Sequence, residues 1–500
     1  MLYLKKFNYS SNQLGGNWID RFKLRTSPSK LFTWGSTDLG RLGYMIRDVP
    51  PEKLTSNRNV KLPHNLTNFN DLIITDLKSN GFSFQILTNQ GLFFSGNDYK
   101  RRVNASPGPR DSDYRKRMEL TGPVGVFPPL GRIGGGPRIL PINHQPIETG
   151  SAHRLQGDEF SSPPPTTAPP RQTNPNLRRP PDQIPELREF QSQVTKHDQQ
   201  SEKVRKIESN FITKLDTQGS KIISISSGRM HFIGLSDDNK LYTWDTGNVD
   251  LKGILLSFPG LDNPIISKIK SGWNLSSFYT KGKLIVWFSR QPITEEQVQQ
   301  NDFSSKCNYW IINDPRNEII DWYLGPDFII VLKKDGVWGK KVDVGHYYHN
   351  IEGHSSLEEL TTLSGFNYWL KTYNSNGTNI VYSKITGGFK NFAIFTSDQR
   401  VLIGDSTFID DEITSLEDLD DPKKPKEIPL DDIVEMEIGD YHYLALNSNS
   451  ELFSWGLNSN NCGCLGIGDV EGEIKEPTKI DGKWIVITAA GWHSGGIQTA

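Results

Sequence analysis

The chain reads as an all-β protein, a seven-bladed β-propeller closed by pairing of its N- and C-terminal strands and interrupted by one long disordered insertion. Three observations carry this reading. A unit of paired short strands recurs six times along the chain. The two halves of a seventh unit stand at opposite ends. Prolines crowd into one segment that has no repeat in it.

In chain order, residues 1–29 precede the first strand and are mostly polar. Leu2, Leu4 and Phe7 give LYLKKF a short apolar face, and Trp18 and Phe22 stand four apart in NWIDRFKLR. KLFTWGSTDLGRLG (30–43) then supplies a strand, the pair Trp34-Gly35, and a loop carrying Gly40, Leu42 and Gly43. Residues 30–99 hold this half-unit and the complete unit TDLKSNGFSFQILTNQGLFFSGND (75–98). Seventeen of the 30 prolines lie between Pro107 and Pro185. Residues 100–185 therefore have too little apolar surface to offset the entropy of ordering them and are expected to be disordered. Residues 186–215 are polar, with Phe190, Val194, Val204, Ile207 and Phe211 near helical spacing, which suggests one amphipathic helix.

Residues 216–500 hold the remaining units. The template is 434–469: a strand to Gly439, then His442, a second strand, a Ser448–Ser450 turn, a third strand through Trp455-Gly456, and a loop with Gly463 and Gly466. The same order recurs at 222–248 (Gly228, His231, Trp244) and 266–289 (Gly272, Trp287). It returns more weakly at 319–341 (Gly325, Trp338) and 385–405. Alternating apolar positions such as Leu444, Leu446 and Leu452 suit partly buried strands. Turns such as KDG and TNQG suit hairpins. A glycine before the second strand marks a tight bend or a close backbone approach. The Trp of each unit reads as a wedge between neighbouring sheets. The chain ends on WIVITAAGWHSGGIQTA, the first half of a unit with Gly491 and His493. Joined to 30–43 it completes the ring and removes an open sheet edge.

Composition narrows the function. Lys and Arg number 56 against 58 acids, a net charge of -2, which gives no general attraction to nucleic acid or anionic membrane. No apolar run approaches the ~20 residues of a membrane span, and the N-terminus lacks a signal-peptide core. Cys307, Cys462 and Cys464 make no disulfide framework, and zinc at Cys462-x-Cys464 lacks a second ligand pair. GRIGGGPR lacks the Gly-Lys-Ser/Thr ending of a phosphate loop. No Ser-His-Asp or paired-carboxylate order converges, so the sequence points to a cytoplasmic or nuclear binding protein with no catalytic group, cofactor or metal. The cluster Arg101–Arg117 reads as a solvated linker, and Ser27-Pro28, Ser106-Pro107 and Ser162-Pro163 are proline-directed phosphorylation candidates.

The joined terminal unit resembles the regulator of chromosome condensation repeat, Gly-x-x-His followed by a strand and Trp-Gly-x-Asn-x-x-Gly-Gln-Leu-Gly. Trp34 to Gly43 matches its spacing, and Trp455-Gly456 with Gly463-Cys464-Leu465-Gly466 matches with two extra residues. His231, His442 and His493 fall on its His position, which the resemblance implies is structural and bonded within its own blade. The family includes a nucleotide-exchange factor for a small GTPase with a basic chromatin-binding tail, and Lys5, Lys6, Arg21, Lys23 and Arg25 are too dilute for such a tail. The stronger resemblance is to fungal F-box members of SCF ubiquitin ligases that carry this propeller. It implies a target protein held on the propeller loops. It further implies a Skp-type adaptor and cullin as partners through an F-box, for which 29 residues leave no room, and no nucleic acid or membrane partner. Residues 1–29 would be the linker from such a module. Exchange on a small GTPase, or a plain scaffold, are the alternatives.

Overall fold

In a computed structural model, residues 28–37, 40–48, 59–96, 205–208, 211–245, 252–289, 291, 293–333, 336–342, 354–357, 359–375, 377–409 and 424–499 are described. They form seven mainly antiparallel blade sheets, besides one separate two-stranded sheet, and the first strands of the blades follow one another around a closed ring, the last of them meeting the first. The ring is the seven-bladed propeller that the repeat count predicts.

Blade 1 is the split unit. From axis to rim its strands are Trp484–Ala490, His493–Thr499, Ser29–Ser36 and Asn59–Asn65. The clasp between the termini runs from Ser29 opposite Thr499 to Gly35 opposite His493. Leu31 and Ile497 face each other within it, both almost fully buried. The N-terminal strand thus lies inside a sheet, hydrogen-bonded on both edges.

Blades 2 to 7 open with the inner strands Ile74–Asn80, Ile222–Ser227, Lys268–Ser271, Ile319–Leu324, Tyr382–Gly388 and Ile433–Ile438. Each is followed by a hairpin and an outer strand. Two blades gain a fifth, parallel strand from the next blade's long connection. Ser304–Lys306 pairs with Ile254–Ser257 of blade 3, and His354–Ser356 pairs with Tyr309–Asn313 of blade 4. Such straps cover sheet edges that would otherwise be open to pairing.

Between blades the core is built from wedges. Trp34 packs into Leu444, Leu446 and Leu452 of blade 7, and its Nε1 donates to Cys464 O at 2.9 Å. Trp244 packs on Leu87, Leu92 and Phe94 of blade 2, Trp287 on blade 3, and Trp455 on Phe395 and Val401 of blade 6. Trp338 departs from the equivalence read in the sequence. It pairs with Val331, three residues into the second strand, whereas Trp287 pairs with Ser276, one residue in; Lys340, opposite Ile329, holds the corresponding place in blade 5. Blade 6 has Gly404 there, and Phe366 of the helix Ser364–Asn374 fills the space, 2.8 Å from where a Cβ would stand.

The helical expectation for 186–215 is corrected in its described part. Arg205–Glu208 is a strand paired with Met45–Asp48, and Ile212–Lys214 is the outer strand of blade 2. The apolar residues here serve a sheet: Phe211 is buried under Gly40, and Ile212 lies against Gly43. The disorder expected for 100–185, Leu2, Leu4, Phe7, Trp18 and Phe22, and the three Ser-Pro sites other than Pro28 lie outside the described residues.

Candidate functional site: the axial rim

One rim of the ring gathers the bend between the first and second strands of all seven blades. The bends are narrow because glycine occupies their inner corner. A Cβ on Gly272 would sit 1.8 Å from Leu324 O of the next blade, one on Gly228 2.1 Å from Gly272 O, and one on Gly388 2.1 Å from Ile438 O. In blade 1 the position is taken by Ala490, which pairs with His493; Gly491 follows with φ +53° and lies against Gly81 O of blade 2. Backbone bonds tie bend to bend, with Gly81 N donating to Arg229 O at 2.9 Å and Arg229 N to Trp273 O at 3.3 Å.

The histidines brace the same corner, but between blades. His231 Nε2 lies 2.8 Å from Ser276 Oγ of blade 4, and His442 Nε2 lies 2.8 Å from Ser494 Oγ of blade 1. His493 Nε2 approaches Ser83 O of blade 2 at 3.4 Å. The bonding within a blade that the resemblance implied is therefore corrected. The ring at the start of a second strand points across the blade interface, where the neighbour's second strand presents a hydroxyl or carbonyl. Burial holds His231 near 3 and His442 near 4, and pushes His493 well below its ordinary value with help from the Arg41 charge. All three are neutral braces, and each belongs to a separate interface. Among the described residues no three His, Cys, Asp or Glu side chains come together as a metal site.

The glycine loops after the third strands serve as latches. Asn458 Oδ1 accepts from Gly463 N at 2.8 Å, and Gly463 and Gly466 take left-handed φ of +79° and +69°. A Cβ on Gly463 would strike Val60 O at 2.8 Å, and one on Gly466 would strike the Trp34 ring. Residues 40–43 repeat the device on blade 2, where Leu42 is buried and its carbonyl accepts from Thr33 Oγ1 at 3.0 Å. Gly35 and Gly456, beside the tryptophans, also have positive φ and abut the backbone of Trp492 and Tyr441.

Beneath the rim lies a polar axial cavity of about 170 Å³. Inner strands line it with Lys78, Lys270, Thr386, Glu437 and Thr488. Asp321, fully buried, accepts from Lys268 and Lys270 at 2.6 Å, from Trp322 N at 2.9 Å and from Ile385 N at 3.0 Å. Burial alone would raise its pKa, but the two ammonium groups hold the carboxylate well below the usual range. Burial lowers Lys270 to about 7 against the pull of Asp321. Lys270 also donates to Trp322 O and Ile385 O, so this cluster joins blades 4, 5 and 6.

Across the mouth runs Arg229. Its Nη1 reaches both carboxylate oxygens of Asp440, on blade 7, at 2.7 and 2.8 Å. The guanidinium lies over Trp273 at 4.6 Å and Phe82 at 5.2 Å from the ring centroids. Arg41 stands over Phe82 at 5.8 Å and donates to Gly81 O at 3.4 Å. Trp273 meets Phe389 at 4.3 Å, while Tyr441 is half exposed and Trp492 half-buried. Five bends thus carry an aromatic residue; Phe82, Trp273 and Phe389 form a partial collar beside the charged centre, while Trp492 packs on the latch residues Cys462, Cys464 and Leu465. Third strands end beside these bends, as Ser36 N→Trp492 O at 3.0 Å and Leu457 N→Tyr441 O at 2.9 Å show, so the loops to the outer strands leave from the same rim. Gly96 and Phe211, which flank the long insertion, are bonded to each other at 2.8 Å. Of the repeat positions named from sequence, the bend glycines and histidines stand at the rim and the tryptophans between blades, while the aromatic residues at the variable x positions of Gly-x-x-His carry no repeat signature. Phe82, Trp273, Phe389, Tyr441 and Trp492 occupy those places in five units.

Comparison with known proteins agrees with this architecture. Residues 433–464 match the family described as regulator of chromosome condensation (RCC1) repeat. The chain is 26% identical to SCF-associated factor 1 of Saccharomyces cerevisiae, over 96% of this chain and 84% of that protein. It is 24% identical to F-box protein pof9 of Schizosaccharomyces pombe, over 50% of this chain and 48% of that one. Among solved structures, a chain in the crystal structure of Kap60 bound to yeast RCC1 (Prp20) has the same fold, with a TM-score of 0.51 and 12% identity over 94% of this chain and 89% of that chain. The chain is a seven-bladed propeller that is similar to the RCC1 repeat at residues 433–464 and, along nearly its whole length, to SCF-associated factor 1.

Proposed function

We propose that the chain is the substrate-recognition part of an SCF-type ubiquitin ligase, holding a target protein on the axial rim. The observation that carries this is the similarity to SCF-associated factor 1 over 96% of the chain, which takes in the whole propeller. The rim suits the role. Its collar offers aromatic area that is already ordered by bend glycines and latches, so little conformational entropy is lost when a partner docks. The action is recruitment: the propeller binds the target, and an adaptor bound through an F-box brings the ubiquitin-conjugating machinery.

The test is immunoprecipitation of the tagged product of the natural reading frame, probed for a Skp-type adaptor and a cullin. Co-purification of both is expected, and their absence from a stable, abundant product would overturn the reading. Release of labelled guanine nucleotide from Ran-like and Rab-like GTPases, measured with the same preparation, is expected to stay at its basal rate. Acceleration would favour the exchange-factor alternative.

A further inference from the structure

The centre of the collar is electrostatically unfinished. Both bonds from Arg229 to Asp440 leave from Nη1. Its Nε is buried and meets no acceptor among the described residues. The Nε–Nη2 edge is the fork that takes a carboxylate side-on with two parallel hydrogen bonds. A buried donor without an acceptor is costly, and proteins keep few of them. The Arg229 side chain is 17% exposed and that of Asp440 11%, so the pair sits at the mouth, and a small rotation of the Arg229 side chain turns its Nε edge to a group arriving from the rim. The rings of Phe82 and Trp273 both lie against the guanidinium and restrict its movement. Arg41 adds positive potential, which is felt at Asp440. Among the described residues, Asp440 is the one carboxylate that Arg229 engages.

We propose that the mouth seats an acidic side chain, aspartate or glutamate, of the polypeptide bound on the rim. The carboxylate enters beside the aromatic rings and pairs with the Nε–Nη2 edge of Arg229, while its neighbours in sequence pack on Trp273 and Phe389. Charge selects the anchor, and the aromatic collar selects an apolar flank. This rests on the reading of the rim as a target-binding face and names the chemistry of what it takes.

The experiment uses the full chain and four pools of fluorescein-labelled, end-capped heptapeptides. Their central residue is Glu, Gln, phosphoserine or Lys, and their flanks are drawn from Leu, Phe, Ala and Ser. Fluorescence anisotropy at physiological salt is expected to show the Glu pool binding about tenfold tighter than the Gln pool. Arg229→Gln should erase that difference, and Arg229→Lys, which keeps the charge and loses the fork, should shrink it. Asp440→Asn should widen it by removing the internal competitor. Equal binding of the Glu and Gln pools, binding of neither, or a lead for the phosphoserine or Lys pool overturns the proposal. So does a Glu preference that survives Arg229→Gln. Should Arg229→Gln fail to fold by circular dichroism, a Glu preference that is unchanged or weakened in Asp440→Asn overturns it instead. Adaptor capture by the same preparations separates the two claims. A Glu preference without adaptor leaves this inference and removes the ligase reading; adaptor capture without a Glu preference does the reverse.

Discussion

His231, His442 and His493 are buried, neutral, and each bonded or directed to the next blade, so acid should act on them together. In the unfolded chain an imidazole takes its proton near 6.5, whereas burial holds His231 near 3 and His442 near 4. Between those values the unfolded chain binds more protons. Their contribution is complete above about pH 6.5 and drains as pH falls toward 4. From pH 7 to pH 5 His231 and His442 should each cost about 2 kcal/mol of stability, with His493 adding to the loss in the same direction. Urea midpoints at the two pH values check this, and His442→Gln should reduce the difference by about one third of the histidine share. Gly272→Ala is the sharper residue-scale case. A methyl 1.8 Å from Leu324 O has nowhere to go, and a loss of about 3 kcal/mol or more is expected by urea unfolding. The sequence placed these residues at one repeat position but not the direction of the histidine bonds. Ser276, Ser494 and Ser83 are ordinary serines one unit further on, and only the packing of one blade on the next makes them partners.

At the scale of elements, the wedges divide tryptophans that look alike in sequence. Trp287 is fully buried between blades 3 and 4, and Trp287→Ala should cost about 4 kcal/mol. Trp338 is half-buried, with Lys333 over its ring, and Trp338→Ala should cost under about 1.5 kcal/mol. Thermal or urea unfolding of both variants checks the contrast, and equal losses would refute the assignment of the wedge. Spacing alone misplaced Trp338 because the second hairpin strand of blade 5 starts its pairing at Gly336, and its equivalent position falls on Lys340. Strand alternation in the repeats was legible, since period-two burial leaves a mark in composition. The stretch around Ile207 and Phe211 misled because apolar residues three or four apart serve a helix face, yet they also fit a short strand followed by a buried corner. Asp321 belongs to this scale too, because it gathers three inner strands. Asp321→Asn would leave Lys270 buried with its main counter-charge gone, and about 3 kcal/mol of destabilisation is expected by the same assay.

For the whole molecule, the count of units and the splitting of one between the ends were enough to specify the ring. Repeats are self-announcing, and a half-unit at each terminus has no other use. The collar was less legible, because its members sit at positions that the repeat leaves free and share only aromaticity. The acidic anchor could not be read at all, since Arg229 and Asp440 lie 211 residues apart and meet only across the axis. Ring closure yields a direct prediction. Removing residues 484–500 deletes the two inner strands of blade 1 and leaves Ser29–Ser36 without its inner partner. Limited proteolysis and size-exclusion chromatography should then show a protease-sensitive or self-associating product, and a resistant monomer would contradict the clasp.

The clasp also sets a clock. Ser29–Ser36 is made more than 450 residues before its inner neighbour His493–Thr499. At ~5–20 residues per second, the interval between them is roughly 25–100 s. Throughout it the first strand presents a bare edge and the Trp34 indole to the cell, with neither blade 7 nor the terminal strands there to cover them. Blades 2 to 6 can assemble in order as they appear, but the ring is completed only once His493–Thr499 has been made. Newborn chains, rather than mature ones, are therefore the form of this protein that most needs a chaperone.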